Sequence, residues 1–186
     1  MSDSVTVWLA LAVLLFWAMG AYNRLVRLRL QRVQAFALLD GLLRQYPVLL
    51  NTALPSPQVR LVQGDERPVS GEVFAAWAAL AVAVESLAAS LKGTHVPSLN
   101  GATIGSVRAA LDAVAQAWTR LQALPPDQIR PVLAPTLVLQ WTQLGVQTDA
   151  ARSEFNQRVV NYNEAIQQFP ALLLAWVLGF KPAQPI

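Results

Sequence analysis

Cysteine is absent from the chain, which excludes disulfides, thiolate zinc sites, a cysteine nucleophile and a lipidated cysteine, and leaves the redox compartment open. Nitrogen ligands are nearly absent too. The single histidine, His95, stands between Gly93 and Pro97 with no further ligand at metal-binding spacing, so it is expected to be a solvated loop residue. There is no phosphate-binding glycine loop, because Gly101 and Gly105 lack the lysine and following Ser/Thr that such a loop needs. Serine nucleophile motifs are missing as well. The nearest approaches to paired carboxylates are Asp65 with Glu66 and Asp149 with Glu154. Neighbours along a chain do not converge on a substrate for that reason alone, so surface or capping roles are expected. These absences predict a protein that is not an enzyme and carries no metal or cofactor.

Charge is also scarce. Only 13% of the residues are charged while 54% are hydrophobic, against about 25% charged in an average soluble domain. One core of ordinary size does not need that much apolar surface, and a membrane first, a partner second, would take up the excess. The net charge of +3 is local. Arg24, Arg27, Arg29 and Arg32 fall within nine residues, and from Val33 onward ten basic residues face ten acidic ones. A folded basic stripe for nucleic acid is therefore not expected.

From Val5 to Tyr22 the chain reads VTVWLALAVLLFWAMGAY without a charge. Eighteen residues rise about 27 Å as a helix, close to the hydrocarbon thickness of a bilayer. Trp8 near one end and Trp17 with Tyr22 near the other suit interfacial anchoring. A cleaved signal peptide, using Ala18 and Gly20, is disfavoured because MSDSVT carries no Lys or Arg. The sequence thus predicts an N-terminal tail and single transmembrane helix over residues 1–22 and a helical domain over 23–186. The positive-inside rule puts the four arginines and the domain in the cytoplasm, with the N-terminus outside.

Beyond the span, apolar residues recur at helical spacing. Leu25, Leu28, Arg32, Ala35, Leu39, Leu42, Tyr46 and Leu49 extend the first helix to about Leu50, with Pro47 expected to kink or fray its end. A long loop rich in proline and glycine follows, in which Ser70 can cap the next helix. Phe74, Trp77, Leu80, Ala81, Val84, Leu87 and Leu91 mark a second helix over 72–92. Its uncharged run of twelve residues between Glu72 and Glu85 is too short for a second span. Ile104, Val107, Leu111, Val114, Trp118 and Leu121 mark a third over 103–123, and Asp127 can cap a short turn after it. A fourth, over 136–169, is marked by Val138, Trp141, Leu144, Thr148, Arg152, Phe155, Val159, Tyr162, Ile166 and Phe169 and closed by Pro170. No strand-like alternation appears. The expected fold is all-α: a transmembrane helix continuing into an antiparallel up-and-down bundle of about four long helices. The tail ALLLAWVLGF, Ala171 to Phe180, is too short to span and is expected to fold back, lie in the membrane interface or meet a partner.

Two segments carry a resemblance. Phe155 to Pro182, FNQRVVNYNEAIQQFPALLLAWVLGFKP, closely resembles the C-terminal signature of the LemA family. Tyr22 to Asp40, YNRLVRLRLQRVQAFALLD, is similar to that family's segment directly after its anchor. Tyr22, Asn23, Leu25, Val26, Leu28, Arg29, Ala35 and Asp40 stand at family-like positions, with Phe36 where the family has another aromatic. The likeness covers residues 1–50 and 152–186 and departs from the family at RQYPVLLNTALP. It implies a membrane-anchored helical bundle with a cytoplasmic domain and no established enzymatic activity.

The candidate functional residues follow from these features. Arg24, Arg27, Arg29 and Arg32 are expected to set topology or meet anionic headgroups, Arg24, Arg27 and Arg29 each adding about 1 kcal/mol of attraction, while the stem of Arg32 lies along the seam with its head reaching out. Leu173, Trp176 and Phe180 are candidate contacts to a partner or to the membrane. Tyr162 is expected to pack in the helix seam with its hydroxyl bonded, and Asn163 to bond neighbouring backbone. The expected role is a membrane-anchored scaffold or adaptor whose partners are the bilayer and a membrane or cytoplasmic protein. The alternative is a bundle that binds a lipid or small apolar molecule between its alanine-rich helices.

Overall fold

The computed structural model describes residues 2–53, 71–92, 101–125, 133–169 and 171–186. Six helices account for most of them: α1 Ser2–Leu43, α2 Gln45–Ala53, α3 Gly71–Lys92, α4 Gly101–Gln122, α5 Pro135–Gln167 and α6 Ala171–Leu178. No strand occurs among the described residues. His95, the pair Asp65 and Glu66, the capping residues Ser70 and Asp127, and Pro170 lie outside the described residues.

α1 is the longest element, and its 42 residues make about 63 Å of helix. It stops at Leu43 rather than running on to Leu50. Pro47 accounts for the break, since its ring opposes the carbonyl of the residue four earlier, Leu43, and it has no N–H to donate there. Placed third in α2, the proline falls in a first turn, where a missing N–H costs little. Arg44 fills the corner: its Nε donates to Asp40 Oδ2 at 2.7 Å and its Nη2 donates to the Leu91 carbonyl at 3.1 Å, tying the corner to the end of α3.

The core is built from facing stripes. Phe36 on α1 meets Phe155 on α5 edge to face at 5.6 Å, and Tyr46 on α2 meets Trp141 on α5 the same way at 5.0 Å. Trp118 on α4 stacks on Trp141 at 4.4 Å, so one α5 tryptophan joins α2 and α4. Leu80, Val84, Leu87 and Leu91 of α3 and Val107, Val114 and Leu121 of α4 fill the rest. Such aromatic pairs contribute about 0.5–1.5 kcal/mol each beyond their buried area.

Two expected core residues lie elsewhere. Phe74 is 63% exposed, and its neighbour Val73 is buried instead. Phe169 is 79% exposed, because α5 ends at Gln167 and Gln168 adopts an extended conformation that takes Phe169 out of the helical period.

Candidate membrane-interface site

The two parts of α1 lie in different surroundings. Its most apolar window has no buried residue, and Trp8, Leu9, Val13, Leu14, Leu15 and Phe16 stand fully outward. From Leu25 onward the same helix buries one face. By length and composition α1 can cross a membrane. α3 passes the same test, but with 28% of its apolar window buried it also serves as a core helix, its stripe turned to α4.

A second, smaller apolar cluster forms where α1 leaves its exposed half. Leu25 of α1, Tyr162, Ala165 and Ile166 of α5 and Ala175 of α6 make it, with Leu28, Ala171 and Phe180 at its edge. α6 is thus folded back against α1 and α5. Gly179 stops it at φ +70°, a conformation that side-chain-bearing residues disfavour. The Phe180 N–H then donates to the Ala175 carbonyl at 2.9 Å, and Phe180 turns inward onto the cluster. This is a glycine-terminated helix end with its usual hydrophobic clasp.

The residues after Gly179 run back along α5 as a strap. The Tyr162 hydroxyl donates to the Lys181 carbonyl at 3.1 Å. Asn163 donates through Nδ2 to the Ala183 carbonyl and accepts through Oδ1 from the Ala183 N–H, both at 2.9 Å. Asn156 makes the same two bonds to Ile186, both at 2.9 Å, and Arg152 Nε adds a third at 3.0 Å. Seven residues of helix separate the two asparagines, about 10.5 Å of rise. Three residues of strap bridge that distance only when nearly extended, at about 3.3–3.6 Å each. Gln184 reaches the start of α4, where a Cβ on Gly101 would come within 2.8 Å of its amide. Ile186 is itself buried in the main core.

The arginine cluster divides. Arg24, Arg27 and Arg29 are exposed, whereas Arg32 is 9% exposed, with its guanidinium 4.9 Å from the centre of the Tyr162 ring. Its Nε has no hydrogen-bond partner among the described residues. Burial lowers the Arg32 pKa, the nearby Tyr162 opposes that and Arg29 adds to it. Burial likewise raises the Tyr162 pKa, with Arg32 and Arg29 opposing. Arg32 is therefore withdrawn from the headgroup role expected of it, since a guanidinium buried over a tyrosine face does not also reach lipid phosphate.

Of the tail residues singled out from the sequence, Trp176 is 84% exposed and Leu173 is exposed, while Phe180 is partly buried on the second cluster. Below them lies a cleft of about 200 Å³ lined by Trp17, Gly20, Ala21 and Arg24 of α1 and by Gln168 and Phe169 beyond α5. Among the described residues the carboxylates do not gather: Glu154 pairs with Arg158 at 2.6 Å on the α5 surface and Asp149 is exposed. What sequence reasoning missed is the Asn156 clamp and the strap it holds: the seven-residue spacing puts the two asparagines on one helix face but does not name the main chain they bind. Comparison with models of known protein families, with curated proteins and with solved structures finds no match for this chain.

Proposed function

We propose that the protein is a membrane-tethered, non-enzymatic helical scaffold or adaptor of the LemA type, anchored in a bacterial inner membrane. α1 crosses the bilayer with its N-terminus outside, and the remaining helices form an antiparallel up-and-down bundle in the cytoplasm. The pairings of α1 and α2 with α5 support that order: Tyr46 with Trp141, Phe36 with Phe155 and Arg32 with Tyr162, so that one chain position falls as the other rises. The continuity of α1 carries the reading. One unbroken helix passes from a wholly exposed apolar half into a half buried in the core, so anchor and domain are mechanically one piece, with the domain faces held at fixed heights above the bilayer.

The face farthest along from the anchor suits a protein partner. A groove of about 460 Å³ between α2 and α5 is lined by Gln45, Thr52, Gln140, Gln143 and Gln147 around Val48, Leu49 and Leu144, an amide-rich rim over an apolar floor. A photo-crosslinking residue at Gln143 in intact cells is expected to capture a discrete protein, and one at the exposed Leu139 is expected to capture less of it. Equal or no capture at both positions removes this reading. A lipid or small apolar ligand is the second reading, favoured by the cleft at Trp17 and Gly20. Native mass spectrometry from mild detergent would show a retained lipid, and its loss in Gly20→Leu would place it there.

A further inference from the structure

Among the described residues outside the span, α6 presents the most apolar exposed surface. All eight of its residues, ALLLAWVL, are apolar, yet among them only Ala175 is buried. Leu172, Leu173, Trp176 and Val177 form a contiguous exposed patch of a kind that soluble surfaces rarely carry unless something covers it. The height of the patch says what does. α6 packs on Leu25, three residues and about 4.5 Å beyond the end of the uncharged run at Tyr22. The cleft beside it reaches back to Trp17, about 7.5 Å inside that run. α6 therefore sits beside the boundary between hydrocarbon and headgroups, where amphipathic helices immerse themselves by about 5–10 Å. The charge around it has the matching sign. Arg24, Arg27 and Arg29 project from the adjoining turns of α1 and Lys181 follows α6, while Glu164 is the one acid between Phe155 and Ile186.

We propose that α6 is a second membrane contact: its exposed face lies in the acyl and headgroup boundary of the same bilayer that α1 crosses, with Arg24, Arg27 and Arg29 on the anionic headgroups around it. This rests on the reading of α1 as a span. The strap supplies the mechanism that keeps α6 there. Asn156 and Asn163 fix the chain after Gly179, and Phe180 and Ala175 clamp the helix onto α1, so α6 is held at one depth rather than left to sample the bilayer. A second contact beside α1 also opposes tilting of the domain toward or away from the bilayer, because a tilt would change the depth of α6.

The absence of native cysteine makes the test direct. Single-cysteine variants of the full chain, Trp176→Cys, Leu173→Cys, Leu14→Cys and Leu139→Cys, are spin-labelled and placed in nanodiscs of phosphatidylglycerol and phosphatidylcholine. Accessibility to oxygen and to a water-soluble nickel relaxant is then read for each. Labels at positions 173 and 176 are expected to favour oxygen, at a shallower depth than position 14, while position 139 favours the nickel complex. Nickel access at 173 and 176 with position 14 still protected overturns the proposal alone. Nickel access at position 14 overturns the span and with it the foundation of the proposal. Protection of 173 and 176 from both relaxants also overturns it, because that marks burial against protein. In pure phosphatidylcholine, positions 173 and 176 are expected to become shallower, and an unchanged depth removes the arginines from the proposal.

Discussion

The two halves of α1 differ in the surroundings that their residues demand. From Val5 to about Gly20 the helix is almost wholly apolar on every side and none of its residues is buried; from Leu25 to Leu43 the buried residues form one stripe, facing α5. A helix apolar on all faces is satisfied only by an apolar surrounding, whereas a striped one needs a packed neighbour on one side and water on the other. The switch occurs over Tyr22 to Arg29, where the arginines begin and α6 is laid against the helix. Perturbing one half should therefore leave the other intact.

The largest effect is expected in the packed half. Phe155→Ala empties the site opposite Phe36, in which both rings are 1% exposed. Such truncations cost about 3–5 kcal/mol, a fall in melting temperature of roughly 10 °C for a domain of this size, read by circular dichroism in detergent. The membrane-bound fraction should stay at the wild-type level. In the exposed half, Leu14→Arg puts a charge at the middle of the proposed span, at a cost of about 2.5–3.5 kcal/mol if that half crosses a bilayer. Here the melting temperature should hold while the carbonate-resistant membrane fraction falls. A variant that moved both readouts together would mean that the halves are not independent.

Much of this division is legible in the residues. The uncharged run, the arginines behind it, and the stripes of α4 and α5 are long and strongly periodic, so tertiary packing had little to override. α3 was harder. Alanine fills so many of its positions that period alone leaves the buried face ambiguous by one residue, and Val73 rather than Phe74 turns inward. The end of α5 was lost for another reason: a stripe extrapolated to Phe169 cannot foresee Gln168 leaving the helix two residues before Pro170. In the candidate site, the bonded roles of Tyr162 and Asn163 were readable from their polarity in an apolar seam. The strap was not, because Asn156 and Asn163 recognise main-chain atoms of Ile186 and Ala183, which any residue but proline would present. The seam position of Arg32 was readable from its spacing, but a long side chain there can either reach outward or lie flat over an aromatic ring, and Tyr162 opposite decides for the second.

Arg32 gives the smallest expected effect and the sharpest probe of the boundary between the halves. Its cation–π contact contributes about 0.5–2 kcal/mol, and burial of the charge opposes that gain, so Arg32→Met, which keeps the volume without the charge, is expected to change stability by under about 1 kcal/mol near neutral pH. The consequence appears at alkaline pH. Tyr162 has its pKa raised by burial and held back by the positive charges of Arg32 and Arg29. A phenol with a raised folded pKa contributes stability that is fully present below its unfolded value of about 10. That contribution drains away as the pH climbs from there through the folded value. Removing Arg32 takes away one of the charges holding that pKa down, which widens the window and deepens the alkaline loss. Melting temperatures measured from pH 8 to 11 should therefore diverge, Arg32→Met falling further than wild type, with the divergence absent in an Arg32→Met, Tyr162→Phe double variant compared with Tyr162→Phe. Parallel curves for all four proteins would mean that the guanidinium and the phenol do not sense each other, and that Arg32 does not lie over the Tyr162 ring.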